Sequence, residues 1–398
     1  MRIALVVSEP FGNTGSIGVK IRTSELARGL MRKGVSVQIL NPYAKIFSKT
    51  AEKSITPFPI SGISPVTARA ILFGVAHRSL QFKIGRYFLL NKFTVRMSSR
   101  FLSNKIIRAL RGTDISLLQG EQDIAGLACI RAKQQLNLPV ITDLHGIWIQ
   151  EMGLNENSPG RSTLMGIFSE IVSQSDAVLV VSEKMKNYLT KTLGVKSTKI
   201  EILPNAASSP TKVRIRRNKT PRILYAGSLE PIENVELYVR SVPYVRRKFP
   251  KANFYVVGHG RMKSYLERLC SEINAPVTFV QTLPHTDLIN MLCDSDVGVI
   301  PTTSKGAMPL KLFEYMSVGL PFVVSDGTEC AEFVAEGNYG VVARPDPISF
   351  GDAIARLLRE QDFADSYSHR CLEAVREKYN WDVVCDKLMN IYEKVLSN

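Results

Sequence analysis

Short apolar runs alternate with amphipathic stretches along nearly the whole chain, and the alternation starts afresh near residue 222. RIALVV reads as a strand, VKIRTSELARGLMRKG as a helix closed by Gly34, and VSVQIL as the next strand. Further strands are expected at 114–119, 139–145, 177–182 and 199–205, with a helix over GEQDIAGLACIRAKQQ between the first two. After residue 221, RILYAGS, ANFYVVGHG, VTFVQ, DVGVIP and PFVVSD take the strand role, interleaved with helical stretches. This rhythm gives a parallel sheet covered by helices on both faces. Residues 206–221 (AASSPTKVRIRRNKTP) are polar and basic without apolar periodicity, as a linker would be. The expected organisation is a first domain over 1–205, a second over 222–364, and C-terminal helices over 365–398. In the tail, Trp381, Val384, Leu388 and Ile391 recur at helical spacing. A length of 398 residues suits two domains. Two doubly wound domains imply a cleft onto which the strand C-terminal ends open.

Composition narrows the classes. A hydrophobic content of 45% supplies buried cores, yet no apolar run approaches the length of a membrane span. The apolar N-terminus is too short for a signal-peptide core and reads as a first strand. The six cysteines are scattered, with no CxxC pair and no histidine at ligand spacing, which favours buried thiols in a reducing compartment over zinc or disulfides. The net charge of +15 is uneven: residues 1–205 hold 27 Lys or Arg against 13 Asp or Glu. Between Lys53 and Thr113 there are eleven basic and no acidic residues, interleaved with aromatic and aliphatic ones. This region fits an anionic membrane surface, although a solvated basic face over core helices has the same composition. A nucleic-acid partner is not expected, because no helix-turn-helix, zinc-finger or RNA-recognition signature is present.

The segment PTTSKGAMPLKLFEYMSVGLPFVVSDG (301–327) is the richest in chemistry. A glycine-bearing loop ends at Pro309, and a helix follows with Lys311 and Glu314 on one face of its first turns. Free N–H groups and the dipole at such a helix start favour phosphate, Lys311 adds charge, and Glu314 fits the hydroxyls of a ribose. An ordinary αβ unit with an exposed Lys–Glu pair is the structural alternative. Other candidate loops follow strands: Gly12, Gly15 and Gly18 after the first, whose spacing is not a dinucleotide fingerprint; Asp143-Leu144-His145-Gly146; Leu203-Pro204-Asn205; and Gly258, Gly260 and Arg261.

Together these motifs resemble the GT-B-fold, retaining glycosyltransferases of the large GT4-type family. FGNTGSIG resembles that family's glycine-rich loop, with Ser16 where glycine is usual. DLHG resembles its histidine motif, ILYAGSLEPIENVELYV the start of its second domain, and PLKLFEYMSVGLPFVVSD its donor-binding segment. The resemblance implies an α/β, GT-B fold of two doubly wound Rossmann-like domains facing a central cleft. It further implies a nucleotide-diphosphate sugar donor, UDP- or GDP-linked, with no cofactor or metal required. Glu314 would hold the ribose and Lys311 and the helix start the diphosphate, with His145 beside the transferred sugar. Gly15, Ser16, Ile17, Gly18, Asn205, Gly227, Ser228, Gly258, Gly260, Arg261, Gly306, Ala307, Met308, Pro309 and Leu310 would line the donor site. The acceptor would be a lipid-linked or growing glycan, met by a cytoplasmic protein lying peripherally on the inner membrane face. Three positions depart from the pattern. Ser228 and Glu233 stand where many members carry an arginine and a lysine against the donor phosphates, and Gly306 stands where many carry a second glutamate. Glu233 then points away from the phosphates, or the phosphates rely on Lys311, Arg261 and the helix dipole, with Lys305 a further candidate, or donor binding is weak. A non-catalytic GT-B protein that scaffolds or regulates a partner transferase, and an epimerase of the same fold, are the alternative readings.

Overall fold

A computed structural model of the chain describes residues 1–8, 17–41, 58–59, 92–146, 161–208, 212–214, 220–306 and 308–397. The chain divides into two compact units, 1–204 with 384–398, and 205–383.

The first unit is built on a seven-stranded sheet in the order β3-β2-β1-β4-β5-β6-β7, with parallel pairing throughout. Its strands are β1 (Arg2–Val7), β2 (Ser36–Asn41), β3 (Phe58–Pro59), β4 (Leu117–Glu121), β5 (Val140–Leu144), β6 (Ala177–Val180) and β7 (Ile200–Ile202). Ile3 registers against Val37 on one side and Leu117 on the other. The helices are α1 (Ile17–Arg32), α2 (Lys92–Leu110), α3 (Gln122–Leu136), α4 (Arg161–Gln174) and α5 (Glu183–Leu193). Ser182 caps α5 by accepting the Met185 N–H at 3.2 Å, a contact worth about 1 kcal/mol.

The second unit repeats the plan with six parallel strands in the order β10-β9-β8-β11-β12-β13. These are β8 (Arg222–Ala226), β9 (Asn253–Val257), β10 (Val277–Val280), β11 (Val297–Ile300), β12 (Phe322–Ser325) and β13 (Val341–Ala343). The helices are α6 (Val235–Lys248), α7 (Lys263–Glu272), α8 (His285–Cys293), α9 (Leu310–Ser317), α10 (Glu329–Gly337), α11 (Pro347–Arg359) and α12 (Gln361–Glu377). Strands β11 and β12 are buried along their whole length, as parallel strands covered on both faces must be. Tyr238, Phe254 and Phe350 anchor the core between sheet and helices. Helix α12 packs on α9 and α11, so this unit runs past the boundary expected at residue 364. The last helix, α13 (Trp381–Leu396), contributes its residues from Val384 onward to the first unit. Trp381, Val384, Leu388 and Ile391 are all buried on it, as their spacing predicts.

In both sheets the strand order reverses beside the first strand, at β1/β4 and at β8/β11. In open α/β sheets a ligand crevice forms outside the strand C-termini at such a reversal. Both candidate sites lie there.

Candidate functional site

In the second unit, β8 ends in Ala226-Gly227-Ser228 and leads into a 3-10 turn, Pro231–Glu233. Asn234, in the left-handed region at φ 49°, closes that turn and starts α6. The turn is fastened from the loop after β11: the Thr303 N–H and the Thr302 hydroxyl both donate to the Ile232 carbonyl, at 2.9 and 3.0 Å. Helix α9 is pinned to the same strand end, because the Ala226 N–H donates to the Tyr315 hydroxyl at 2.9 Å. Pro309 precedes α9 and offers its first turn no side-chain acceptor. Asn205 donates its amide to the Met308 carbonyl at 2.7 Å and so fixes the loop behind the helix start.

This framework brings Lys311 over the end of β8. Both Lys311 and Glu314 are 8% exposed and have different partners, which removes the exposed-pair alternative. The Lys311 ammonium donates to Glu233 Oε2 at 2.5 Å and to the Tyr225 hydroxyl at 3.0 Å, and lies 4.6 Å from the centre of the Tyr225 ring. Tyr225 in turn donates to the Ser228 carbonyl at 2.7 Å. Burial, reinforced by Glu233, holds this phenol protonated far above its ordinary range. The Ser228 hydroxyl reaches Glu233 Oε1 at 3.4 Å. Two of the three departures from the family pattern, Ser228 and Glu233, thus meet each other around Lys311, and Glu233 points at the cation. Glu314 Oε1 lies 3.2 Å from Nε2 of His285, a half-exposed residue at the start of α8.

Two glycines make the approach possible. A Cβ on Gly227 would stand 2.7 Å from Lys311 Nζ, and one on Gly258 would stand 1.8 Å from the Gly227 carbonyl oxygen. Gly260 packs similarly on the Leu229 carbonyl. Arg261 is partly exposed and ion-paired with Glu230 at 2.8 Å. Gly306 is buried and Lys305 exposed, while Leu310 opens α9. Gly15, Ser16, Ala307 and most of 53–91 lie outside the described residues; Ile17 and Gly18 begin α1.

The first unit holds a second cluster at its own strand reversal. Asp143, at 0% exposure on β5, takes two hydrogen bonds from Arg22 of α1, at 2.9 and 3.2 Å. Arg22 also donates to the Leu203 and Pro204 carbonyls at 2.9 and 3.0 Å, which ties the motif before Asn205 to the cluster. His145 Nε2 lies 3.1 Å from Glu121 Oε2 and 3.3 Å from Asp143 Oδ2. Glu121 is held from behind: Tyr392 of α13 donates to Gln119 at 2.6 Å, and Gln119 donates to Glu121 at 2.8 Å. The turn from β4 into α3 puts Gln122 in the left-handed region at φ 66°, and its side chain accepts the His145 N–H at 3.3 Å.

Burial alone would lower the imidazole's affinity for protons, but the Asp143 carboxylate overrides it and, with Glu121, raises the His145 pKa to about 9. Burial likewise opposes the Asp143 charge, and Arg22 with His145 outweighs it, so that carboxyl stays well below the usual range. His145 is therefore a cation at neutral pH, able to donate a hydrogen bond and unfit as a general base. Glu121, Asp143 and His145 are close enough together to surround a cation, but Arg22 and the imidazolium already supply the counter-charge. Sequence reading missed Arg22, Glu121 and His285. Arg22 did leave a signal, since it falls among Val19, Thr23, Leu26 and Leu30 on the buried face of α1.

Residues 17–208 match the family described as Glycosyltransferase Family 4, and residues 220–360 match Glycosyl transferases group 1. The chain belongs to these glycosyltransferase families. It is 25% identical over 230 residues to glycogen synthase of Mycobacterium tuberculosis, covering 56% of this chain and 55% of that protein. The match spans little more than half the length of the first curated relatives. Phosphatidyl-myo-inositol mannosyltransferase of Mycobacterium leprae is 23% identical over 407 residues, covering 100% of this chain and 98% of that one. Sucrose-phosphate synthase of Thermosynechococcus elongatus superposes with a TM-score of 0.78 at 17% identity, over 100% of this chain and 99% of that one. Anabaena HepE in complex with UDP-glucose gives 0.74 at 11%, over 98% and 99%. The fold of this glycosyltransferase-family chain is accordingly GT-B, two Rossmann-like domains, as its motifs imply.

Proposed function

We propose that the protein transfers a sugar from a nucleotide-diphosphate donor to an acceptor hydroxyl with retention of configuration. The observation that carries this reading is the buried Lys311 and Glu314 on the first turns of α9, at the strand reversal of the second unit. The helix start and Lys311 would receive the diphosphate, and Glu314 with His285 the ribose. In the transfer, the bond from the anomeric carbon to the diphosphate oxygen breaks while the acceptor oxygen bonds to the same face. The acceptor proton passes to the departing phosphate oxygen. Stabilising that leaving group is the main catalytic demand, and the helix dipole with Lys311 meets it without a metal. The His145 cation would donate to a hydroxyl of the transferred sugar. UDP and GDP are the expected nucleotides, and the HepE structure with UDP-glucose supports the donor class. Glu314→Ala should lose donor binding by calorimetry, and full activity of that variant would refute the assignment.

On this reading the acceptor is lipid-linked or a growing glycan, which the phosphatidyl-myo-inositol named for the Mycobacterium leprae relative supports. No described helix is long and apolar enough to cross a membrane. Helix α2 carries Arg96, Arg100 and Arg108 on its solvent side, with Met97 45% exposed among them. That face supports peripheral contact with an anionic bilayer, on the cytoplasmic side. Vesicle sedimentation should show binding that needs anionic lipid and fades with salt. Equal binding to neutral vesicles at high salt would count against it. The pairing of Glu233 with Lys311 favours one rival, a non-catalytic member that regulates a partner transferase. Absence of binding to any of a panel of nucleotide sugars would support that rival.

A further inference from the structure

We infer that Glu233 is a built-in competitor for the donor diphosphate, so that its carboxylate sets the affinity and selectivity of the site. This inference rests on the donor-site reading above. A diphosphate arriving at the start of α9 meets an ammonium whose charge is already taken, at 2.5 Å, by Glu233 Oε2. The second Glu233 oxygen faces the Ser228 hydroxyl at 3.4 Å. Positions 228 and 233, where many family members place cations, here supply a neutral hydroxyl that donates to the carboxylate and the carboxylate itself. A phosphate oxygen and a carboxylate cannot both hold one ammonium without repelling each other in a partly desolvated site.

The geometry also defines what moves. The Glu233 backbone is fixed, because the Ile232 carbonyl accepts from both Thr302 and Thr303 and because Asn234 closes the turn in the left-handed region. Lys311 is equally fixed: it is buried, its ammonium is bonded to Tyr225 and stacked over that ring, and Gly227 leaves it no slack. The Glu233 side chain is 18% exposed against 8% for Lys311, so it is the member of the pair with access to solvent. Donor binding therefore proceeds by exchange: the carboxylate swings out and phosphate takes its place on a stationary ammonium. A doubly charged phosphate competes with the carboxylate for the ammonium better than a singly charged anion does, which would give the site its selectivity.

The test is calorimetric titration of UDP, GDP and ADP into the full-length protein and into Glu233→Gln and Glu233→Lys. Glu233→Gln keeps the shape and removes the competing charge, so it should bind its preferred diphosphate at least tenfold more tightly than the wild type. Glu233→Lys, which restores the family's cation, should bind more tightly still. Adding Lys311→Gln to Glu233→Gln should abolish the gain. Because Glu233→Gln leaves Lys311 without its counter-ion, its ligand-free melting temperature should fall and its rise on adding diphosphate should exceed the wild type's. A Glu233 that merely props Lys311 in place predicts the same fall with a smaller rise on adding diphosphate, and equal or weaker binding by Glu233→Gln overturns the inference. If the wild type binds a diphosphate and the variants gain nothing, the inference alone fails. If no diphosphate binds any of the proteins, the donor-site reading falls and the inference with it.

Discussion

Raising the pH should discharge one particular buried cation, and its effect is separable from that of other groups. The His145 pKa stands at about 9 against 6.5 in an unstructured chain, so the native state holds that proton by roughly 3 kcal/mol more than the unfolded state does. The folded pKa is the higher one. The stabilisation is therefore complete below about pH 6.5, shrinks as pH rises, and is gone once pH passes about 9. The source is the Asp143 carboxylate at 3.3 Å and the Glu121 carboxylate at 3.1 Å, acting against burial and against Arg22. The chain has only five histidines, so labelled imidazole resonances can be followed individually by NMR, with His145 assigned by its disappearance in His145→Gln. Its resonance should titrate near 9, and the wild type's margin over His145→Gln in thermal unfolding should narrow between pH 6.5 and 9. Glycosyl transfer should fall over the upper part of that window as the donor N–H is lost. A resonance that titrates at or below 7, or a transfer rate that rises through 6.5 and loses that rise in His145→Gln, would refute the account and make His145 a base.

Asp143→Asn should cost about 3–5 kcal/mol in denaturant unfolding, because it strands the buried Arg22 charge, and it should lower the His145 titration. Replacing Arg22 and Asp143 together by Met and Leu should recover part of that loss. Gly258→Ala drives a methyl into the Gly227 carbonyl oxygen and should destabilise the protein by about 3 kcal/mol, read as a lower melting temperature. His285→Ala should raise the donor KM roughly tenfold through loss of a hydrogen bond to a charged group, with kcat little changed.

How far the sequence carries depends on how local the determinant is. The strand–helix alternation is set by apolar runs of a few residues, and every expected strand is present within a few positions, whereas the short β3 and β13 are not among those expected. DISLLQ shows the size of the error: the strand begins at Leu117 and runs on to Glu121, because pairing with β1 and β5, rather than local propensity, sets its ends. The α9 segment was legible for the same reason, since Lys311 and Glu314 are three residues apart on one helix. Their partners were not. Glu233 lies 78 residues from Lys311, and His285 lies 29 from Glu314; no spacing rule links such pairs. Glu233 stands out in the sequence as a departure, but a departure says only that a charge has changed. Whether that charge faces the phosphates or faces away is decided by Thr302, Thr303 and Asn234, which aim the turn. The cluster around His145 shows the same limit. Asp143 and His145 are neighbours in DLHG, whereas Arg22 and Tyr392 reach it from helices at opposite ends of the sequence. A histidine read alone at a strand end is an acid-base candidate. The same histidine between two carboxylates is a fixed cation, and that change of role comes entirely from contacts the sheet order creates.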